Sequence, residues 1–390
     1  MLIRNAELYD TATRRFRRGA LLLRGGRIES VFFGDGSGGD CPAEEIYDAA
    51  GRRVIPGLVD VHTHGRAGGD FTSADEETLR RMLRSYALSG VTTLLPTLAS
   101  AEPEQLRTAI RRLRQLSEEE GHEDGEVRAH TGGIHLEGRY LNPAKRGAHA
   151  PELLAPLDPD ELEGFLCDMP GVRHVTAALE LDTDGSFLRR ARDCGATIGL
   201  GHSSATYEQA VQAFADGATA ITHLYNALPP LHHRSGGAVC AALLTETVSC
   251  ELICDGFHVA PEMVKLAARL ARDRLVLITD SMEATGCPDG AYSIAGMPVT
   301  VVDGRARTSD GAIAGSTLSL LDGVYNYSRF ADLPLEDAIY AATMAPAREV
   351  GLDGEVGSLE VGKRADLLIL GEDGRPEQVF CAGRAVYPLP

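Results

Sequence analysis

Val54-Ile55-Pro56-Gly57-Leu58-Val59-Asp60-Val61-His62-Thr63-His64-Gly65 reads as a buried strand ending in two histidines one residue apart. Successive side chains on a strand point to opposite faces, so His62 and His64 project from the same one. Two imidazoles converging at a strand end can hold one divalent ion, with Gly65 letting the backbone turn away. An isolated His-x-His is more often a pair of loop histidines, so the rest of the chain must supply the other ligands.

Working outward, the chain alternates strand and helix. The strand candidates are Val54–Asp60, Val91–Pro96, Val127–Leu136, Val172–Glu180, Ala196–Gly201, Ala218–Thr222, Cys250–Cys254 and Leu275–Thr279. Glu76–Ser89 and Pro103–Glu119 carry apolar residues at helical spacing, and Thr206 opens a helix with Ala210, Val211 and Phe214 on one face. Eight such alternations over about 250 residues fit a (β/α)8 TIM barrel, expected over residues 53–357. No Gly-rich phosphate fingerprint follows the first strand, which disfavours an open doubly wound sheet. Asp289–Thr308 reads as a hairpin insertion turning at Asp303-Gly304, with helices following at Thr317–Phe330 and Leu335–Ala342.

Residues 1–52 and 358–390 have a different texture of short strands and turns. Ala20–Leu23 and Arg27–Phe33 flank Arg24-Gly25-Gly26, and Gly34–Asp40 reads as a loop. Leu367–Leu370, Gln378–Phe380 and Arg384–Tyr387 repeat the pattern at the far end. Neither set is large enough for its own core, so the two are expected to pair as one small β-sandwich domain.

The net charge of −18 excludes nucleic acid or an anionic membrane surface as the main partner. No run of about 18 apolar residues suggests a membrane span, and the first residues lack the apolar core of a signal peptide. The eight cysteines are scattered and read as buried thiols, without a disulfide framework or an all-cysteine zinc site. That usage points to a reducing compartment, hence a cytoplasmic protein.

The chemistry lies where polar residues fall. His62 and His64 end the first strand, Glu137 the third, His202 the fifth, His223 the sixth and Asp280 the eighth. In a barrel all strand carboxyl ends meet at one rim, where barrel active sites sit. Each residue alone has a plainer explanation, such as a loop histidine or, for Asp280, a helix cap. Chance would scatter them between both barrel ends, so the joint pattern points to a metal site. Imidazole and carboxylate ligands suit zinc or iron, and such a site activates water and polarises a carbonyl. Asp280 is placed to take a proton and hand it to a leaving amine, which points to hydrolysis of an amide or similar bond.

Further stretches carry a resemblance. They are Pro56–Gly65, His135-Leu136-Glu137-Gly138, Arg146-Gly147-Ala148-His149, Gly201–Tyr207 and Thr222-His223-Leu224-Tyr225-Asn226-Ala227. Pro229–Arg234, Cys254-Asp255-Gly256-Phe257-His258-Val259, Thr279–Met282 and Ile313-Ala314-Gly315-Ser316-Thr317 continue the series. With these, in this order, the chain resembles the N-acetylglucosamine-6-phosphate deacetylase family of the amidohydrolase superfamily.

The resemblance implies a divalent metal, zinc first and iron or another transition metal next, on Glu137, His202 and His223. His62 and His64 match the variant holding a second ion, with Glu137 bridging, and Asp280 would be general base and then acid. His149 and Ala148 would sit on the acetamide or sugar hydroxyls, Asn226, Ala227, Arg234, Asp255 and His258 on the phosphate side, and Ile313, Ala314 and Gly315 along the sugar. In relatives the Arg234 equivalent reaches the neighbouring subunit's site, which implies a homodimer. His232-His233-Arg234 and His258 would supply the local cations that a sugar phosphate needs on so acidic a protein.

The implied reaction removes the acetyl group of N-acetylglucosamine 6-phosphate, giving glucosamine 6-phosphate and acetate, in amino-sugar catabolism. Two departures keep the N-acetylgalactosamine epimer open. Arg139 stands where many relatives have Pro, and Ser235-Gly236-Gly237 follows Arg234 where many have Glu-Pro-Gly. More remote are hydrolysis of an N-acyl amino acid or cyclic amide, and a catalytically silent scaffold on the same barrel.

Overall fold

The computed structural model describes residues 1–37, 43–119, 126–169 and 171–387. Cys41 and the end of the Gly34–Asp40 loop lie outside the described residues. Eight parallel strands form the barrel: β1 (Leu58–Thr63), β2 (Val91–Leu98), β3 (Ile134–Glu137), β4 (Val172–Ala177), β5 (Thr197–Leu200), β6 (Ala220–Ile221), β7 (Ser249–Ile253) and β8 (Leu275–Ile278). Ladders run from β1 round to β8. Between β8 and β1 closure falls to a few bonds. Asp280 N–H donates to the His62 carbonyl at 2.9 Å, and the Thr279 hydroxyl donates to Asp60 Oδ2 at 2.6 Å.

The Val54–Asp60 strand is two strands. Arg53–Pro56 pairs antiparallel with Leu367–Leu370 and parallel with Leu2–Asp10, in the sheet built from both chain ends. The chain changes sheets at Gly57, where a Cβ would lie 1.9 Å from Thr92 Oγ1, so only glycine permits this approach to β2. Gly65 serves likewise: an added Cβ would meet the Gly69 carbonyl oxygen, so it admits a neighbouring strand.

The terminal sheet runs in the order Arg384–Ala385, Pro376–Cys381, Leu367–Leu370, Arg53–Pro56, Leu2–Asp10, Arg15–Arg24, Arg27–Phe33, with Ile46–Asp48 alongside Leu2–Asp10. Its alternation explains its position. Val54, Leu367 and Ile369 join the sandwich core, while Ile55, Leu368 and Leu370 face the main barrel core.

An α-helix follows each of the first seven barrel strands, and three follow β8 after the insertion. The helix after β5, Tyr207–Asp216, buries Ala210, Ala213 and Phe214; Val211, expected on that face, is exposed. Positions i, i+3 and i+4 share a face, and i+1 is rotated about 100° away from it. The insertion is a three-stranded antiparallel sheet (Gly290–Ile294, Met297–Val302, Arg305–Thr308), with a second turn at Ala295-Gly296 beyond the one expected. A short helix, Met344–Glu349, follows Leu335–Ala341 and carries Glu349 into the buried interior.

The cysteine expectation needs correction. Cys167 and Cys194 form a disulfide with Cα atoms 5.7 Å apart. They stand at the C-termini of Pro159–Leu166 and Ser186–Asp193, a juxtaposition that only the packing of adjacent helices creates. The buried thiols of Cys250 and Cys254 fit the expectation. Among the described residues no helix is long and apolar enough to cross a membrane.

Candidate active site

Residues from five strand ends meet at the carboxyl rim of the barrel. Each of His202, His223 and Asp280 lies two residues beyond its strand and adopts a left-handed backbone, with φ of +46°, +30° and +47°. Such conformations cost on the order of 1–3 kcal/mol for a non-glycine residue and persist where surrounding contacts fix them.

Glu137 is the centre, and its two oxygens face different histidines. Oε2 is 2.8 Å from His64 Nε2 and 3.3 Å from His62 Nε2. Oε1 is 3.0 Å from His223 Nε2 and 3.2 Å from His202 Nε2. Asp280 Oδ1 lies 3.4 Å from His64 Nε2 and 3.7 Å from His62 Nε2.

The outer nitrogens fix the ring protons. His202 Nδ1 faces the Lys145 carbonyl at 2.8 Å, and a carbonyl can only accept. His62 Nδ1 faces the Glu251 carboxylate at 3.0 Å. Whenever either ring is neutral, its proton therefore sits on Nδ1 and a bare Nε2 turns toward Glu137. Among the described residues His62 Nε2 is buried without a hydrogen-bond partner, and the Nε2 atoms of His202 and His223 stand 3.0 Å apart. Burial alone would push the Glu137 carboxyl up, but the charge of a protonated His62 and hydrogen bonds from the rings of His202 and His223 outweigh it and hold it ionised, well below the usual range. Converging imidazole lone pairs around an ionised carboxylate are a donor set for a divalent cation. His62, His64, Glu137 and Asp280 present ligand atoms within 4.8 Å of one another, as do Glu137, His149 and His202.

His149 sits beside the cluster, its Nε2 3.8 Å from Glu137 Oε2. Burial, reinforced by His202, lowers its pKa to about 3, so it is neutral. The backbone N–H of Ser100 donates to Nδ1 at 3.4 Å, which leaves the proton on Nε2.

The cluster opens into a cavity of about 320 Å³. Of the substrate contacts expected from sequence, Ala148, His149, Asn226, Ala227, His258, Ile313 and Gly315 line it. Ala314 is buried in the core of the insertion instead. Asp255 stands behind His258, accepting from its ring at 2.6 Å and from its backbone N–H at 2.8 Å. Arg234 is exposed on its loop, against His233. Sequence reasoning missed Lys145, a cation lining the cavity, although it immediately precedes Arg146-Gly147-Ala148-His149. It also missed Ile294 and Ala295 of the insertion, which line the cavity as well.

The amidohydrolase family model matches residues 53–386. Over 336 residues the chain is 37% identical to an N-acetylglucosamine-6-phosphate deacetylase of Vibrio furnissii, covering 86% of this chain and 83% of the relative. It is 36% identical over 332 residues to an N-acetylgalactosamine-6-phosphate deacetylase of Escherichia coli O157:H7, covering 85% and 87%. The chain belongs to the N-acetylhexosamine-6-phosphate deacetylase family of the amidohydrolase superfamily. A solved deacetylase mutant of Mycobacterium smegmatis, in complex with N-acetyl-D-glucosamine-6-phosphate, superposes with a TM-score of 0.89 at 32% identity, covering 100% of this chain and 99% of that one.

One of the chain's departures from the deacetylase family's pattern now has a structural account. Arg139 pairs with Glu161 at 3.2 Å and donates to the Ala101 carbonyl at 3.0 Å. It does not line the cavity, and it braces the loop after β3 against the helix Pro159–Leu166.

Proposed function

We propose that this deacetylase hydrolyses N-acetylglucosamine 6-phosphate to glucosamine 6-phosphate and acetate, in amino-sugar catabolism. The observation that carries the reading is Glu137 shared between two histidine pairs, with Asp280 beside them at the floor of a cavity. A divalent ion, zinc for this nitrogen and oxygen donor set, would be held by Glu137, His202 and His223, with His62 and His64 offering a second position, and would supply Lewis acidity toward the acetyl carbonyl and an acidified water.

The chain's own residues do the rest. His149 donates from Nε2 to the acetyl oxygen as negative charge develops there. Asp280 takes the proton of the attacking water and returns it to the amide nitrogen as the C–N bond breaks. Lys145, His258 and the Asn226–Ala227 backbone bind the phosphate end, with Asp255 orienting His258. Ala148, Ile313 and Gly315 pack the sugar, and Ala314, buried in the insertion's core, anchors the segment that carries its two neighbours. Arg234, exposed here, reaches the neighbouring site of a homodimer. A charged sugar phosphate does not cross a bilayer unaided, which supports a cytoplasmic enzyme.

The galacto epimer is the second reading, favoured by the near-equal identity to the two kinds of relative and by Ser235-Gly236 after Arg234. Acetate release from both epimers decides between them, the gluco form being expected to give the higher kcat/KM. Asp280→Asn should lower kcat at least ~100-fold with little change in KM, since a positioned acid–base group contributes about that much. Near-normal turnover in that variant would remove Asp280 from the mechanism.

A further inference from the structure

Glu251 lies on β7 with its side chain wholly buried in the barrel interior. No sequence motif singles it out, yet one of its oxygens touches two members of the cluster. Oε2 accepts from His62 Nδ1 at 3.0 Å and from the backbone N–H of His223 at 3.2 Å. The first contact fixes the His62 ring proton on Nδ1 and leaves Nε2 to face Glu137. The second grips the residue whose φ is +30°, the least comfortable backbone among the strand-end ligands. A buried carboxylate is costly unless fully partnered, so this placement requires a compensating gain. Among the described residues the other oxygen, Oε1, has no hydrogen-bond partner, and it points toward His174 Nε2 at 3.8 Å, with Glu349 beyond.

We propose that Glu251 is the positioning residue of the whole cluster: through one oxygen it sets the His62 ring on β1 and pins the turn that presents His223 after β6. It thereby couples the two histidine pairs on either side of Glu137, and losing it loosens both. The proposal rests on reading the cluster as a metal centre.

Full-length Glu251→Gln keeps the shape and one acceptor but loses the charge. Zinc affinity, measured by competition with a chromophoric chelator, should fall about 10- to 100-fold, as it does when the partner of a metal-bound histidine is altered. In the zinc-loaded wild type, His62 Nδ1–H should give a slowly exchanging, strongly downfield proton resonance, assigned by its loss in His62→Gln. In Glu251→Gln that resonance should move upfield. A folded Glu251→Gln protein with unchanged zinc affinity and an unmoved resonance would overturn the proposal. Should the variant fail to fold, the absence of any slowly exchanging His62 Nδ1–H in wild type overturns it equally. Wild-type protein that binds no divalent ion would instead refute the metal centre itself.

Discussion

At the residue scale, the site depends on which atom of each side chain is left free after its structural partner is satisfied. His202, His62 and His149 are each committed by one nitrogen and left with the other for chemistry. Asp255 and His258 follow the same logic at the cavity wall. Burial alone would raise the Asp255 carboxyl, but hydrogen bonds from the His258 ring and from the backbone of His258 and Phe257 outweigh it and hold it below the usual carboxylate range. A depressed carboxylate contributes stability above its unfolded pKa of about 3.9 and loses that contribution as pH falls through the folded value. Urea unfolding should therefore show Asp255→Asn destabilised at pH 7, with the gap from wild type closing below about pH 4. A gap independent of pH would mean that the charge of Asp255 contributes nothing. The strand-end ligands were legible because the end of an apolar run is a position that one sequence displays. Lys145 and Glu251 were not: one is a cation ending a single 3-10 turn, and the other a carboxylate within a strand whose partners lie on β1 and just beyond β6.

At the element scale, the strand–helix alternation was readable because period and length separate strands from helices. The hand-over at Gly57 was not, since Val54–Val59 is apolar and buried on both sides of it. Only the missing Cβ opposite Thr92 marks where the chain leaves one sheet for the other. The helix after β5 shows how an element aims a ligand. His202 opens the preceding loop, Ser203 and Ser204 donate to Glu180 at 2.6 Å each, and Thr206 starts the helix with a reciprocal capping box to Gln209. Both partners of that box are exposed, so its effect on stability can be separated from the site. Thr206→Ala should lower unfolding free energy by about 1 kcal/mol in denaturant while leaving bound metal per chain unchanged. Loss of metal in parallel would show that the cap also holds the His202 loop in place.

At the scale of the whole molecule, the terminal sheet presents alternate residues to its own core and to the barrel, so both chain ends brace the scaffold that holds the rim. The rim faces a difficulty that the scaffold does not solve. A protein of net charge −18 must hold a dianionic phosphate, and among the described residues the cavity lining of a single chain offers only Lys145 and His258 beside the metal cluster. Arg234, exposed and away from that lining, is the cation that a second subunit would bring. A two-fold dimer exchanging this loop makes a prediction that a monomer cannot satisfy. Arg234→Ala should raise KM because its partner's site loses a phosphate contact, while Asp280→Asn should be inactive through its own site. In a hybrid dimer, the Arg234→Ala chain keeps Asp280 and receives an intact arginine from the Asp280→Asn chain. One of the two sites is then wild type. Mixing and reassociating the two variants in equal amounts makes about half the dimers hybrid, so about a quarter of the wild-type sites should return at low substrate. Activity equal to the mean of the two variants measured apart would place Arg234 outside the neighbouring site.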